Sequence, residues 1–184
     1  MKIAFKMKTY NILSIDEFKS IIESKSRLLG IDPGLVNTGF GIISYANNVE
    51  VVDYGIISPN KSADLSVRLN TIYNDTKVII EKYSPDCLSI EEVFYSNNVK
   101  TTMKLGQARG AVLIAAAEFD LAVYEYSARK IKLSLTGNGN STKEQVKFMV
   151  ENRLKVSINT IKNDASDALA AALCHEQQFR YNDL

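Results

Sequence analysis

The sequence contains little histidine and cysteine, and its net charge is close to zero. Its 184 residues include one His and two Cys, and the formal net charge is +1. One histidine and two cysteines fall short of the four ligands of a zinc site. Cys87 and Cys174 lie in apolar stretches, so we expect reduced core residues rather than a disulfide. The near-neutral charge gives no indication, on its own, of a protein that binds nucleic acid.

Long hydrophobic runs are also missing. No apolar stretch approaches the ~18 residues that span a bilayer, and the first residues lack the apolar centre of a secretory signal. Hydrophobic residues are 46% of the chain and charged residues 23%, which is ordinary for a globular domain. A chain of 184 residues fits one domain with a sizeable core. We therefore expect a cytoplasmic protein.

One stretch organises the rest of the chain. The apolar run from Leu28 rises to Asp32 and breaks at Pro33-Gly34, which predicts a buried strand that ends on a carboxylate. A carboxylate at the edge of a core is costly unless it is paired, hydrogen-bonded or bound to a cation. The plainer alternative is a turn-forming Asp that bonds its own backbone. This stretch alone leaves both interpretations open.

The next elements bring a second acid to the same place. The pattern predicts two further strands over 37–45 and 49–57, a helix over 64–83, and a fourth strand over 87–90. Short turns join the first three strands into an antiparallel meander. The crossover helix should place the fourth strand parallel to the first and beside it. Asp32 and Glu91 would then lie at one edge of the sheet.

The remaining pattern is mainly helical. It predicts a fifth strand over 122–126 and helices over 15–25, 97–119, 127–134, 142–153 and 164–177. The spacing of Ser141 and Glu144 indicates a capping box at the fourth of these helices. Small residues along 97–119 permit close approach to the sheet or to a second subunit. We expect the main folded domain over 28–178, with a basic extension over 1–27 and a short tail over 179–184.

Two more acids begin the last helix. Asp164 and Asp167 are three residues apart and so share a helix face. Acids at a helix start are common and favoured by the helix dipole, but the rest of this helix is mostly apolar and should pack on the core. Carboxylates without histidine or thiolate suit Mg²⁺ or Mn²⁺, and two such ions about 4 Å apart can activate water at a phosphodiester. The residues thus favour metal-dependent phosphoryl transfer on an α/β, RNase H-like fold with a five-stranded mixed sheet flanked by helices.

Four stretches, in order, resemble the RuvC family of bacterial Holliday junction resolvases. They are Leu29–Gly34 with Thr38-Gly39, Ile90–Phe94, Lys104–Gly110 and Asp164–Ala170. The resemblance runs from about Leu28 to His175. It implies that Asp32, Glu91, Asp164 and Asp167 are the metal-binding catalytic acids, with two Mg²⁺ ions per site and Mn²⁺ as a substitute.

The resemblance also implies roles for four residues in DNA contact or charge stabilisation. Lys143 would lie close to the scissile phosphate, Lys132 would be a second functional lysine, Phe94 would stack on opened bases, and Asn98 would contact DNA. From the residues alone, each lysine could equally be a solvated surface charge. Phe94 could be a core aromatic at the end of a strand.

A homodimer that resolves four-way DNA junctions by paired symmetric nicks, in recombination and repair, is the function that the resemblance implies. The family also implies cooperation with the RuvA–RuvB branch-migration complex. Three alternatives remain: an RNase H-like nuclease acting on RNA, an actin-like ATPase or sugar kinase, and a junction-binding protein without nuclease activity. The stretch Lys104–Gly110 argues against the first, chain length against the second, and four retained acids against the third.

Overall fold

A computed structural model describes residues 26–46, 48–93, 99–156 and 163–182, with the side chains of 181 and 182 left aside. Its centre is one five-stranded sheet in the order β3-β2-β1-β4-β5. The strands are β1 (Ser26–Asp32), β2 (Thr38–Tyr45), β3 (Val49–Ile57), β4 (Cys87–Glu91) and β5 (Ala122–Tyr126). The helices are α1 (Leu65–Tyr83), α2 (Val99–Glu118), α3 (Ala128–Thr136), α4 (Lys143–Leu154) and α5 (Asn163–Asn182).

The pairing of the strands confirms the predicted topology. β1, β2 and β3 form the antiparallel meander, while β4 pairs parallel to β1 and β5 pairs parallel to β4. Ile31 lies opposite Ile90 in the parallel pair. The two acids that follow, Asp32 and Glu91, therefore leave the sheet at the same edge.

Hydrophobic residues cover both faces of the sheet. Successive side chains of a strand point to opposite faces, and β1 uses this alternation fully. Leu28 joins a core cluster with α3, α4 and α5, whereas Leu29 and Ile31 join a second cluster with α1 and α2. Cys87 and Cys174 are free and buried, as predicted, and burial raises the pKa of Cys87 to about 12. Within the described residues, no helix is both long and apolar enough to cross a membrane.

At Gly30 and Gly39, helix α5 lies directly against the backbones of β1 and β2. A Cβ atom at Gly30 would lie 2.0 Å from the carbonyl oxygen of Ala168, and one at Gly39 would lie 1.9 Å from that of Asp164. No larger residue fits at either position without moving the helix. Because Gly39 pairs with Asp32 in the sheet, this contact brings the first turn of α5 to the end of β1.

Two details differ from the sequence-based expectation. The last helix runs on to Asn182, beyond the predicted end near Gln177. The capping box of α4 is formed by Thr142 and Gln145, not by Ser141 and Glu144. Ser141 is buried and its hydroxyl bonds that of Thr136 at 2.8 Å, so it is not free to cap. The predicted helix over 15–25 lies outside the described residues.

Candidate active site

The four predicted acids meet at one edge of the sheet. Asp32 ends β1 and Glu91 ends its parallel neighbour β4, while Asp164 and Asp167 stand in the first turns of α5. All four are partly buried. The parallel pairing and the glycine contacts of α5 therefore produce the cluster from three separate parts of the chain.

The electrostatics of Asp32 reflect this crowding. Burial raises the pKa of Asp32 to about 7, assisted by the negative charges of Asp167, Glu91 and Asp164 and opposed by Lys143. Burial and Asp167 also raise the pKa of Glu91, whereas Lys143 and Lys132 lower it. Carboxylates that repel one another at neutral pH form a site that a cation would stabilise.

Lys143 supplies the positive charge at this cluster. It is the first residue of α4, and its Nζ lies 2.9 Å from Oδ2 of Asp167. The hydrogen bond with Asp167 raises the pKa of Lys143, so the side chain is charged at neutral pH. At the start of the helix, the Thr142 hydroxyl accepts a hydrogen bond from the backbone N–H of Gln145. This cap fixes the end of the helix from which Lys143 extends.

Two clefts are each lined by two of the four acids. The first, of about 150 Å³, is lined by Glu91 and Asp167 together with both predicted lysines, Lys132 and Lys143. The second is lined by Asp32 and Asp164 and by residues of the loop after β1 and of α2. The predicted lysines thus share a cleft with two of the four acids.

The chemistry of the donor set fits Mg²⁺ or Mn²⁺. Every candidate ligand is a carboxylate oxygen, and hard divalent cations prefer such donors. In the part of the chain that the structure describes, no group of three or more His, Cys, Asp or Glu side chains is already close enough to hold an ion. The Lys143–Asp167 ion pair occupies one of the oxygens that a cation would use. The acids fit the metal by type and charge, and their side chains would have to move to close around it.

The loop after β1 adds a residue that the sequence analysis missed. Asn37 Nδ2 donates to Oδ2 of Asp164 at 3.1 Å, and Ser58 Oγ donates to Oδ1 of Asn37 at 3.0 Å. No periodicity marks a polar loop residue that contacts an acid 127 positions later. The neighbouring Thr38-Gly39, which the motif includes, is the only local signal.

Phe94 and Asn98, the two predicted DNA-contacting residues between β4 and α2, lie outside the described residues. Their proposed roles rest on the sequence alone.

An open mixed sheet with acids at the ends of two central parallel strands and on the last helix defines an RNase H-like nuclease. A profile of the crossover junction endodeoxyribonuclease RuvC family matches residues 28–175. The crossover junction endodeoxyribonuclease RuvC of Geotalea uraniireducens is 45% identical over 150 residues, covering 81% of this chain and 87% of that protein. This chain belongs to the RuvC family of crossover junction endodeoxyribonucleases.

Solved structures agree with this assignment. The Thermus thermophilus RuvC structure superposes with a TM-score of 0.79 at 28% identity, covering 85% of this chain and 96% of that one. The T. thermophilus RuvC structure in complex with a Holliday junction substrate gives a TM-score of 0.80 at the same identity and coverage. The predicted fold class and family are both confirmed.

Proposed function

We propose that this chain is a Mg²⁺-dependent endonuclease that resolves four-way DNA junctions by paired symmetric nicks. The observation that carries this proposal is the cluster of Asp32, Glu91, Asp164 and Asp167 at one sheet edge, in a chain of the RuvC family. Each site would bind two ions, and Mn²⁺ would be able to substitute for Mg²⁺.

The four acids would hold the cations. Bound there, the ions would activate water and stabilise negative charge at the scissile phosphate. The chain's own contribution is to hold carboxylates from β1, β4 and α5 at one place. Lys143, charged and at the same cleft, would compensate negative charge that develops on the phosphate. Its ion pair with Asp167 would be exchanged for the phosphate and the cations.

DNA contact would extend from the acids along the same edge. Lys132 lines the cleft of Glu91 and would bind a neighbouring phosphate. Phe94 would stack on bases at the opened centre of the junction, and Asn98 would contact the DNA beside it. Binding through phosphates would make affinity fall as salt concentration rises.

A homodimer would match the two-fold symmetry of paired nicks. Helix α2 offers a face for the second copy. Val99, Met103 and Ile114 are 67%, 61% and 63% exposed. Gly106 and Gly110 have open space beside them. These five positions recur at intervals of three or four residues, so they lie on one side of the helix and would allow close packing of two copies. The RuvA–RuvB complex would deliver the junction to this dimer.

The test is cleavage of a labelled synthetic four-way junction by the purified chain, with Mg²⁺, with Mn²⁺ and with EDTA. We expect metal-dependent paired nicks on the junction and none on a linear duplex of the same sequence. Asp164→Asn should abolish the nicks and retain junction binding, while Asp75→Asn, an exposed acid on α1, should cut normally. Metal-dependent binding without nicks would favour a non-catalytic junction binder. Cutting of RNA in preference to the junction would favour the RNase alternative.

A further inference from the structure

The hydrogen bonds around Asn37 form a relay that ends on a candidate metal ligand. Ser58, just after β3, donates to the amide oxygen of Asn37, and the Asn37 amide nitrogen donates to Oδ2 of Asp164. Three segments distant in sequence therefore converge on one carboxylate. Asn37 and Asp164 line the cleft that also contains Asp32.

The relay has a defined direction. A carboxylate only accepts hydrogen bonds, so the amide nitrogen of Asn37 must face Asp164. The amide oxygen then faces Ser58, whose hydroxyl donates to it. The carboxylate of Asp164 therefore selects this orientation of the Asn37 amide, and the Ser58 hydroxyl, which can donate or accept, donates to the amide oxygen that results.

The loop that carries Asn37 is itself fixed. The Thr38 hydroxyl donates to the carbonyl oxygen of Gly34 at 2.8 Å and accepts from the Gly34 amide at 3.2 Å. Thr38 is buried, and Gly39 touches the backbone of Asp164. Asn37 is therefore held at a set distance from the first turn of α5.

This contact has a consequence for Asp164. An Asp in the first turn of a helix tends to bond the free backbone N–H groups of its own helix. The Asn37 amide draws the carboxylate towards the loop after β1 instead, where Asp32 stands. Fixing Oδ2 also fixes the rotation of the carboxylate and hence the direction of Oδ1.

We propose that Asn37, held by Ser58, is a positioning residue that aims the Asp164 carboxylate at the divalent cation. The inference rests on the proposed function, since it takes Asp164 as a ligand. Partners in the outer shell of metal sites commonly change metal affinity by about 10–100-fold when they are removed.

The experiment measures Mn²⁺ binding to the intact chain by calorimetry and by the Mn²⁺-induced rise in melting temperature. Asn37→Ala should weaken Mn²⁺ binding about 10-fold and raise the Mn²⁺ concentration for half-maximal junction cleavage equally. Ser58→Ala should produce a smaller loss in the same direction. Without metal, Asn37→Ala should lower the melting temperature by about 4–8 °C, the effect of losing its two hydrogen bonds in a chain of this size.

A double-mutant cycle separates positioning from general damage to the fold. In an Asp164→Asn background, Asn37→Ala should have no further effect on Mn²⁺ affinity, because the carboxylate that Asn37 would position is already absent. Asn60 is an exposed asparagine that, like Ser58, lies in the loop after β3. As a control, Asn60→Ala should leave Mn²⁺ binding unchanged.

Wild-type Mn²⁺ affinity in Asn37→Ala, or an equal loss in both backgrounds, would overturn the inference. Failure of the wild-type chain to bind Mn²⁺ would overturn both the cation site and the role of Asn37. Mn²⁺ binding that depends on Asn37, in a chain that leaves junctions intact, would support the inference and overturn only the proposed function.

Discussion

The carboxylates at the two ends of helix α5 differ in how far neighbouring residues compensate their charge. Near its C-terminal end Glu176 is fully buried, and Arg153 Nη2 lies 2.6 Å from its Oε2 while Arg180 binds Oε1. Both oxygens of that carboxylate are paired with a guanidinium. At the N-terminal end, Asp164 and Asp167 join Asp32 and Glu91, and within the described residues Lys143 alone forms an ion pair with this group.

The difference separates a structural acid from the four acids that we propose to be functional. Glu176 has its charge compensated within the fold, so it binds α4 to α5 and needs nothing else. Among the described residues, the four acids at the other end have one ion pair between them, with Lys143. Burial, and after it the charges of the other three acids, raise the pKa of Asp32 there. The first group is complete in the folded chain, whereas we propose that cations complete the second.

Asp32→Asn gives the largest expected effect. Removal of a ligand should lower junction cleavage by more than about 100-fold, since even an outer-shell partner of a metal is worth 10–100-fold. The same change relieves repulsion among the acids and should raise the melting temperature of the metal-free protein at pH 8. Gel assays and differential scanning calorimetry measure the two effects. Wild-type cleavage by this variant would remove Asp32 from the mechanism.

Removing the two arginines that pair with Glu176 should have the opposite effects: stability should fall and cleavage should be kept. Arg153→Met combined with Arg180→Met leaves Glu176 buried without a counter-charge, which costs about 3–5 kcal/mol of unfolding free energy. In a chain of this size that lowers the melting temperature by about 6–20 °C. Cleavage per folded molecule should stay unchanged. The control is Lys155→Met, an exposed residue in the groove that Arg153, Glu176 and Arg180 also line. An equal loss of stability in this control would contradict the role assigned to Glu176.

Lys143→Met removes the ion pair with Asp167 at the N-terminal end of α5. Loss of this charge should reduce cleavage by about 10–100-fold at saturating Mg²⁺, with junction binding nearly unaffected. Lys147→Met, one turn further along α4, provides a matched change of charge. Equal effects of the two substitutions on cleavage would indicate a general contribution of positive charge rather than a specific one of Lys143.

The smallest effect concerns pH. The folded-state pKa of Asp32, about 7, lies above its unfolded value, so its protonation stabilises the metal-free fold below about pH 4 and this contribution is lost as pH rises through 7. Burial lowers the pKa of His175, which acts in the opposite sense below pH 6.5. The difference in melting temperature between wild type and Asp32→Asn cancels the histidine effect. It should widen from pH 5 to pH 8 without metal and shrink when Mg²⁺ is added. A difference independent of pH would contradict the raised pKa.

Local pattern was enough for most of the fold. Alternation and turn residues predicted all five strands, and the helical crossover between the first and fourth strands predicted Asp32 beside Glu91. Both strand acids and both helix acids could be found in this way. The capping pair of α4 could not, because burial of Ser141 against Thr136 depends on the folded α3–α4 connection.

Long-range polar contacts were beyond the sequence. Asn37 follows no periodicity, and Glu176 looks like any acid near the end of a helix until Arg153 of another helix is brought to it. Their importance arises from tertiary packing, which places residues far apart in the chain at hydrogen-bonding distance. Motif order identifies the family, but not the residues that support its acids.

The absence of side chains between α5 and the backbones of Gly30 and Gly39 bears on how such a chain tolerates change. Interfaces filled by side chains widen or narrow when a core residue is exchanged for a larger or smaller one. At these two positions the separation of the helix from the sheet is set by main-chain atoms of α5 and by the missing side chain of each glycine. As long as both glycines are kept, the composition of the rest of the core can therefore change while the gap between the strand acids and the helix acids keeps its width.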